Sequence, residues 1–446
     1  MRLGIVAAAL GFILSTAATG APQPAAETEC DRLAALPDDA DLPKGYSGVS
    51  DFGDVDAQAA IPACRKALLA APTDRRVRFQ LGRALDAADR YAEAIKEYQA
   101  AAAAGSAKAM RNLGLIYELG EGVPKDYAAA RVWDEKAAAS GDPGGMNNLG
   151  GLYKEGQGVP RDYGAARRWY EKAAAAGAAG AMTNLGILSY DGLGAPKDVV
   201  AARKWYEKAA ALGEPQAMIK LGALYYDGEG VATDYGLARH WFEKAAAADE
   251  SDALYNLGII YEEGRGVAED YAAARRWYEK AAELDRSDAM HSLGGLYERG
   301  GKDFPQNLAA AHKWYLKSAA LGDAKAMERL GYFYQWGMDV RQSYATARDW
   351  YDKAAKAGDA RAMDSMGALY QGGEGVPANL AIAAQWYQKA ASAGDDQGML
   401  DLGELYLRGD GVKQDVAQAR AWFVRSAAAG NTVAEKALAR LNSDKR

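Results

Sequence analysis

A chain of 446 residues with 49% hydrophobic and 25% charged residues carries enough apolar surface to stay ordered, which excludes global disorder. Its net charge of -7 and pI near 5.3 give no basic field to gather phosphates, so nucleic acid is not an expected partner.

The chain opens with Arg2, an apolar run from Leu3 to Leu14 and small residues from Ala18 to Ala21, the pattern of a secretory signal peptide over residues 1–21. An apolar run of about 12 residues falls short of the roughly 20 that span a bilayer. The mature chain is therefore expected to be periplasmic or secreted, without membrane insertion. Residues 22–71 read as a lead-in. Within it, Asp31 to Val55 is rich in Pro, Gly and Asp and is expected to be irregular, and a helix is expected from Asp56 to Ala70. Both cysteines, Cys30 and Cys64, lie in this segment, and in an exported chain a disulfide between them is expected. Residues 72–105 then read as a helical pair, with Leu81-Gly82, Ala84 and the run YAEAIKEYQAA at tetratricopeptide spacing.

From residue 106 the sequence repeats. Leu-Gly recurs from Leu113-Gly114 to Leu402-Gly403, with Met366-Gly367 as a variant, at a period of 36 and one step of 37. Tryptophan keeps the same period from Trp133 to Trp422, 19 residues after each glycine and 20 at Trp314, so the extra residue lies in the loop Gly300 to Pro305. Nine repeats follow at 106–141, 142–177, 178–213, 214–249, 250–285, 286–322, 323–358, 359–394 and 395–430. In each, apolar positions at helical spacing flank a Gly-x-Gly turn, which predicts a hairpin of helices A and B. Asp126, Asp162, Asp198, Asp234, Asp270 and Asp415 are placed to cap helix B. The stripe Ala202, Trp205, Ala209 is expected to be buried, with tryptophan as the main buried side chain of each repeat. A lone hairpin cannot bury such a stripe, whereas stacked hairpins can. Residues 431–446 read as a capping helix.

The string AMxNLGxLYxxGxGVxxDYxxAxxWYxKAAxxG closely resembles the Sel1-like repeat, a longer-looped relative of the tetratricopeptide repeat, over Ser106 to Gly430. The resemblance implies an all-α, right-handed α-α superhelical solenoid whose concave wall is made of A helices. It also implies an adaptor role, often in envelope signalling or complex assembly. Some secreted members carry a cysteine pair in every repeat and are linked to β-lactam binding; no repeat here contains cysteine.

On that geometry the residues before each Leu-Gly pair face a partner. Directly before the leucine (Met366 in repeat eight) stand Asn112, Asn148, Asn184, Lys220, Asn256, Ser292, Arg329, Ser365 and Asp401; one residue earlier come Asn147, Thr183, Ile219, Tyr255, His291 and Leu400. The asparagine amides can grip a peptide backbone or satisfy neighbouring helices, and Tyr255 is the preferred aromatic anchor. In repeat seven Gly337-Met338-Asp339 replaces Gly-x-Gly beside an extra tryptophan, Trp336, which is either an exposed anchor or part of a repacked turn; the repacked turn is the simpler reading. The candidate partner-binding set is thus Asn112, Asn148, Asn184, Lys220, Tyr255, Asn256, His291, Arg329 and Trp336.

Catalytic patterns are missing from the sequence. No GxSxG, HExxH or P-loop string occurs, and His240, His291 and His312 occupy scattered repeat slots. Acidic residues fall chiefly at solvated positions, with no pair in an apolar setting that would raise a pKa. Gly-rich loops such as GEGVPKD read as hairpin turns, as does Arg408-Gly409-Asp410. No enzyme, metal or cofactor is expected. The leading expectation is a monomeric, exported scaffold that holds a peptide or protein in its groove. The alternatives are a binder or weak hydrolase of cell-wall fragments or β-lactams, and a periplasmic restrainer of a membrane sensor kinase.

Overall fold

The structure is a computed structural model that describes residues 28–37, 39, 41–42, 49, 53–301 and 303–443. The expected signal peptide lies outside the described residues. Among the described residues there are 23 α-helices and one isolated bridge, Gly301 with Phe304. None of these helices is long and apolar enough to cross a membrane. The helices pack in series as an α-solenoid and group into two compact bodies that divide between Asp198 and Val199.

The N-terminal body begins with a helix at Glu29–Ala34, which overlaps the start of the segment expected to be irregular. Thr28 and Asp31 cap it reciprocally, a local signal hidden by the surrounding Pro and Gly. A second helix, Ala57–Ala70, starts from an Asp56 cap. A disulfide joins Cys30 to Cys64 and ties the two helices together. Asp31, wholly buried, accepts from Arg76 at 2.6 Å and from Gln80 at 2.9 Å. Arg83 is spent on the carbonyls of Ala34 and Val49. These bonds fasten the lead-in onto the tetratricopeptide-like pair Arg75–Asp86 and Tyr91–Ala103. Repeat one follows (Ala107–Leu119, Tyr127–Ala139), then repeat two (Pro143–Glu155, Tyr163–Ala175) and helix A of repeat three (Ala179–Asp191).

The C-terminal body runs from helix B of repeat three (Val199–Ala211) through repeat four (Pro215–Asp227, Tyr235–Ala246), five (Ser251–Glu263, Tyr271–Glu283) and six (Ser287–Arg299, Leu308–Ala320). It continues with repeat seven (Ala324–Trp336, Tyr344–Lys356), eight (Ala360–Gly372, Leu380–Ser392) and nine (Asp396–Arg408, Val416–Ala428), and ends with Thr432–Ser443. Ala434 of this last helix is buried against Leu400, Ala419 and Phe423.

Seven of the nine hairpin turns are made the same way. In repeat one Gly120 takes φ 79° and Gly122 φ 68°, the left-handed region that glycine enters without Cβ strain. The Asp126 N–H then donates to Tyr117 at 2.8 Å while its carboxylate caps helix B at Ala128 and Ala129. Asp162, Asp234, Asp270 and Asp415 cap their helices alike, and Asn307, Ser343 and Asn379 do so in repeats six to eight. Repeat seven keeps its turn without the second glycine because Asp339 itself takes φ 57°. In repeat six the lengthened loop buries Phe304 between Tyr271 and Tyr297.

The core differs from the expected one in one respect. The nine periodic tryptophans are only half-buried; the buried aromatic is the next residue, as in Tyr170, Tyr206, Phe242, Tyr278, Tyr315, Tyr351, Tyr387 and Phe423. A residue just after the tryptophan lies about 100° further round the helix, and that turn points its ring at the Leu-Gly glycine of helix A. A Cβ on Gly150, Gly222, Gly258, Gly294, Gly331, Gly367 or Gly403 would collide with that ring, so these glycines pack flat against it. Each tryptophan is instead covered by the cation three residues on, from Lys136 over Trp133 at 3.9 Å to Arg425 over Trp422 at 4.4 Å. Such contacts contribute about 0.5–1 kcal/mol each at exposed sites.

Candidate functional site: the inner row of A helices

Helices A of neighbouring repeats touch one another, in repeats one and two, seven and eight, and eight and nine, which makes them the inner row within each body. In repeats one, six, seven and eight the residue before the Leu-Gly or Met-Gly pair lies toward a buried tyrosine. Asn112 donates to the Tyr98 hydroxyl at 3.1 Å, and Ser292, Arg329 and Ser365 stand near the hydroxyls of Tyr278, Tyr315 and Tyr351. Burial together with nearby carboxylates, Glu262 for Tyr278 and Glu298 for Tyr315, pushes these phenols far above their ordinary range. Asn148 donates to Asp134 at 3.2 Å, Asn184 to Asn147 at 3.0 Å, and Asn256 to the Asp252 carbonyl at 2.8 Å. The four asparagines therefore each satisfy a neighbour, with part of their amide capacity committed inside the fold.

The remaining sequence-selected residues are spread along the row. Lys220 is exposed. Tyr255 is half-buried beside Tyr278, with the Arg286 guanidinium 5.0 Å from its ring centre. His291 lies 3.4 Å from Asp323 and against Tyr315. Although burial opposes its ionisation, Asp323 is held down to about 2 by the neighbouring His291 imidazole and a hydrogen bond from Ser318 at 2.7 Å. Arg329 pairs with Glu298 and covers Tyr332 at 4.5 Å. Trp336, one turn further on, is 59% exposed and 6.1 Å from Tyr332. Arg329, Tyr332 and Trp336 thus form one strip on helix A of repeat seven. The simpler expectation, that Trp336 repacks into the turn, does not hold: the turn closes through Gly337 and Asp339 and leaves the indole outside.

Two clefts open along the row. The N-terminal one, of about 560 Å³, mixes Leu115, Leu119 and Ile116 with Arg111, Asn112, Glu121 and Asn148. The C-terminal one, of about 470 Å³, is lined by His291, Lys325, Glu328, Arg329, Asp359, Arg361, Asp395 and Asp396.

The expectation that no pair of acids would sit in an apolar setting is corrected by Asp364 and Asp401, and a single acid, Asp134, is buried as well. Asp134 is wholly buried behind Asn148, and burial pushes it up to about 8. Asp364, on helix A of repeat eight, and Asp401, on that of repeat nine, set acid against acid across the row; burial first and then their mutual repulsion raise Asp364. Both were visible as departures from the repeat string. Asp134 stands in VWDEK where other repeats read WY or WF, and Asp401 stands where asparagine prevails.

The family model described as Sel1 repeat matches nine consecutive segments, 107–142, 143–177, 179–214, 215–250, 251–285, 287–323, 324–359, 360–395 and 396–431. Among solved structures, the chain is similar to a protective antigen present in uropathogenic Escherichia coli strains that displays an SLR fold. The two are 32% identical with a TM-score of 0.62, over 90% of this chain and 85% of that one. It is also similar to a Sel1 repeat protein from Oxalobacter formigenes, at 32% identity and TM-score 0.57, over 69% of this chain and 90% of that one. No curated protein matches the chain.

Proposed function

The chain belongs to the Sel1 repeat family, and from that premise we propose that it is an exported scaffold that holds a peptide or protein partner along its inner row of A helices. Sel1 repeat proteins are in general protein-interaction scaffolds and typically non-enzymatic. The observation that carries the reading here is the strip Arg329, Tyr332, Trp336: the periodic tryptophans are capped by cations, yet Trp336, the one off the period, stands exposed on the inner row. An exposed indole beside a second aromatic and a guanidinium is the composition of an interface anchor. The Cys30–Cys64 disulfide and the leader-like start of the sequence support export.

The test is recovery of a partner from envelope extract on the mature protein, in parallel with Trp336→Ala/Tyr332→Ala, with Asn148→Ala/Asn184→Ala/Tyr255→Ala, and with an outer-row control, Lys204→Ala. Loss of the same partner on the inner-row variants but not on the control, at unchanged unfolding midpoint, is expected. Equal recovery on all four proteins would overturn the groove assignment.

A further inference from the structure

Repeat one departs from the way helix B is matched to helix A in repeats four to nine. In repeats five to eight the buried tyrosine reaches a polar residue on helix A of its own repeat: Tyr278 donates to Glu262 at 2.6 Å, and Tyr315, Tyr351 and Tyr387 donate to Glu298, Gln335 and Gln371 at 2.7 Å each. In repeats four and nine, where the ring is Phe242 or Phe423, the same helix A slot holds Tyr226 or Leu407. Hydroxyl meets acceptor, and bare ring meets a largely apolar side chain. Repeat one sets Asp134 against Glu118, acid against acid.

Asp134 lies under Gly114 as the rings lie under their glycines, with its Oδ1 2.8 Å from where a Cβ would stand. Oδ1 accepts from Asn148, while Oδ2 is buried and has no hydrogen-bond partner. Burial, Glu118 and Asp142 all disfavour its charge, and the Asn148 bond and Arg111 only partly offset them. Glu118 is half-buried and raised by burial, with Lys125 as its offsetting charge. Asn148 and Arg111 also line the N-terminal cleft, whose floor carries Leu115 and Leu119 at 45% and 49% exposure. An unpartnered buried carboxylate carries an uncompensated desolvation cost. Tyrosine or phenylalanine removes that cost in all eight other repeats.

We propose that repeat one carries a subsite for a cationic side chain, the ammonium of a lysine or the guanidinium of an arginine on a bound peptide. Its methylenes lie on Leu115 and Leu119, and its charge lies at Asn148, the cleft residue behind which Asp134 is buried. This rests on the reading of the groove as a peptide site, but its chemistry is testable without the partner. The probe is n-butylammonium chloride, compared with sodium chloride at equal concentration and pH 9, on the full chain, Asp134→Asn and Asp134→Tyr. A rise in the wild-type unfolding midpoint specific to butylammonium is expected, with apparent affinity at least about tenfold weaker in both variants. The tyrosine variant carries the residue that other repeats use in this slot and is the one that secures a folded comparison. No differential rise in wild type, or the same rise in Asp134→Tyr, overturns the subsite. A partner lost on Trp336→Ala but kept on Asp134→Tyr would sink the subsite and leave the scaffold standing.

Discussion

The inner faces of the two bodies are built on one backbone plan and differ in how their charges are settled. In the C-terminal body acids and bases close on each other along most of the row, Arg299 with Glu262, Arg329 with Glu298 and His291 with Asp323, while Asp364 and Asp401 set acid against acid and leave one Asp364 oxygen without a hydrogen-bond partner. In the N-terminal body an apolar shelf lies over an acid whose second oxygen has no partner. The comparison teaches that the repeat fixes where a side chain sits, while three slots per repeat decide what the surface does. These are the residue before the leucine, the residue one earlier, and the helix A residue that meets the buried ring.

The sharpest way to break the comparison is to write repeat one into repeat five. Tyr278→Asp removes a buried ring and leaves a carboxyl facing Glu262, so a loss of about 4 kcal/mol or more is expected from the cavity and the unpaired acid together. Chemical denaturation checks it. A loss below about 1 kcal/mol would mean that a repeat tolerates an acid in this slot, and Asp134 would need no special account.

Next in size is the disulfide, which has no counterpart at the other end of the chain. Reducing Cys30–Cys64 releases a 34-residue loop, worth about 3–4 kcal/mol on the loop-entropy model. The effect should fall on the N-terminal body. Hydrogen exchange is expected to rise in Arg75–Asp86 and in repeat one while repeats five to nine stay protected; a uniform rise would show that the chain unfolds as one unit.

Much of this was legible beforehand. The helical hairpins, their glycine turns and the aspartate caps follow from residue types whose backbone demands are local. The burial of Tyr278 in place of Trp277 was not, because both residues recur at the same period and only the angle of helix B against helix A selects between them. Trp336 was read as a repacked turn because losing Gly-x-Gly looked like losing the turn; Asp339, entering the left-handed region, preserves it. Asp134 could have been found by asking which repeat departs at a position that all others fill with an aromatic ring.

The acid pair gives a smaller, pH-dependent effect. Burial, then Asp401, Asp395 and Asp396, raise Asp364 above the ordinary carboxylate range, so the folded state holds a proton that the unfolded chain releases near pH 4. Stability from this group is present at low pH and is lost as pH rises through the raised folded value. Asp364→Asn, which keeps one donor facing Asp401, should flatten the fall in unfolding midpoint between pH 5 and 8 and leave that variant more stable by about 1 kcal/mol at pH 8. A slope identical to wild type would place the titrating group elsewhere.

The smallest expected effect on stability is the most informative about function. Trp336 is more than half exposed and covers nothing in the core; its one aromatic neighbour, Tyr332, is already held under Arg329. Trp336→Ala should therefore change stability by no more than about 0.5 kcal/mol. Truncating Trp350, the periodic tryptophan of the same repeat, which is half-buried and lies under Lys353, should cost about 2 kcal/mol or more. The two indoles make a matched pair, because the periodic one belongs to the frame and the aperiodic one to the surface that the frame presents. If Trp336→Ala instead destabilises as much as Trp350→Ala, the exposed indole is part of the architecture, and the anchor on which the scaffold reading rests is gone.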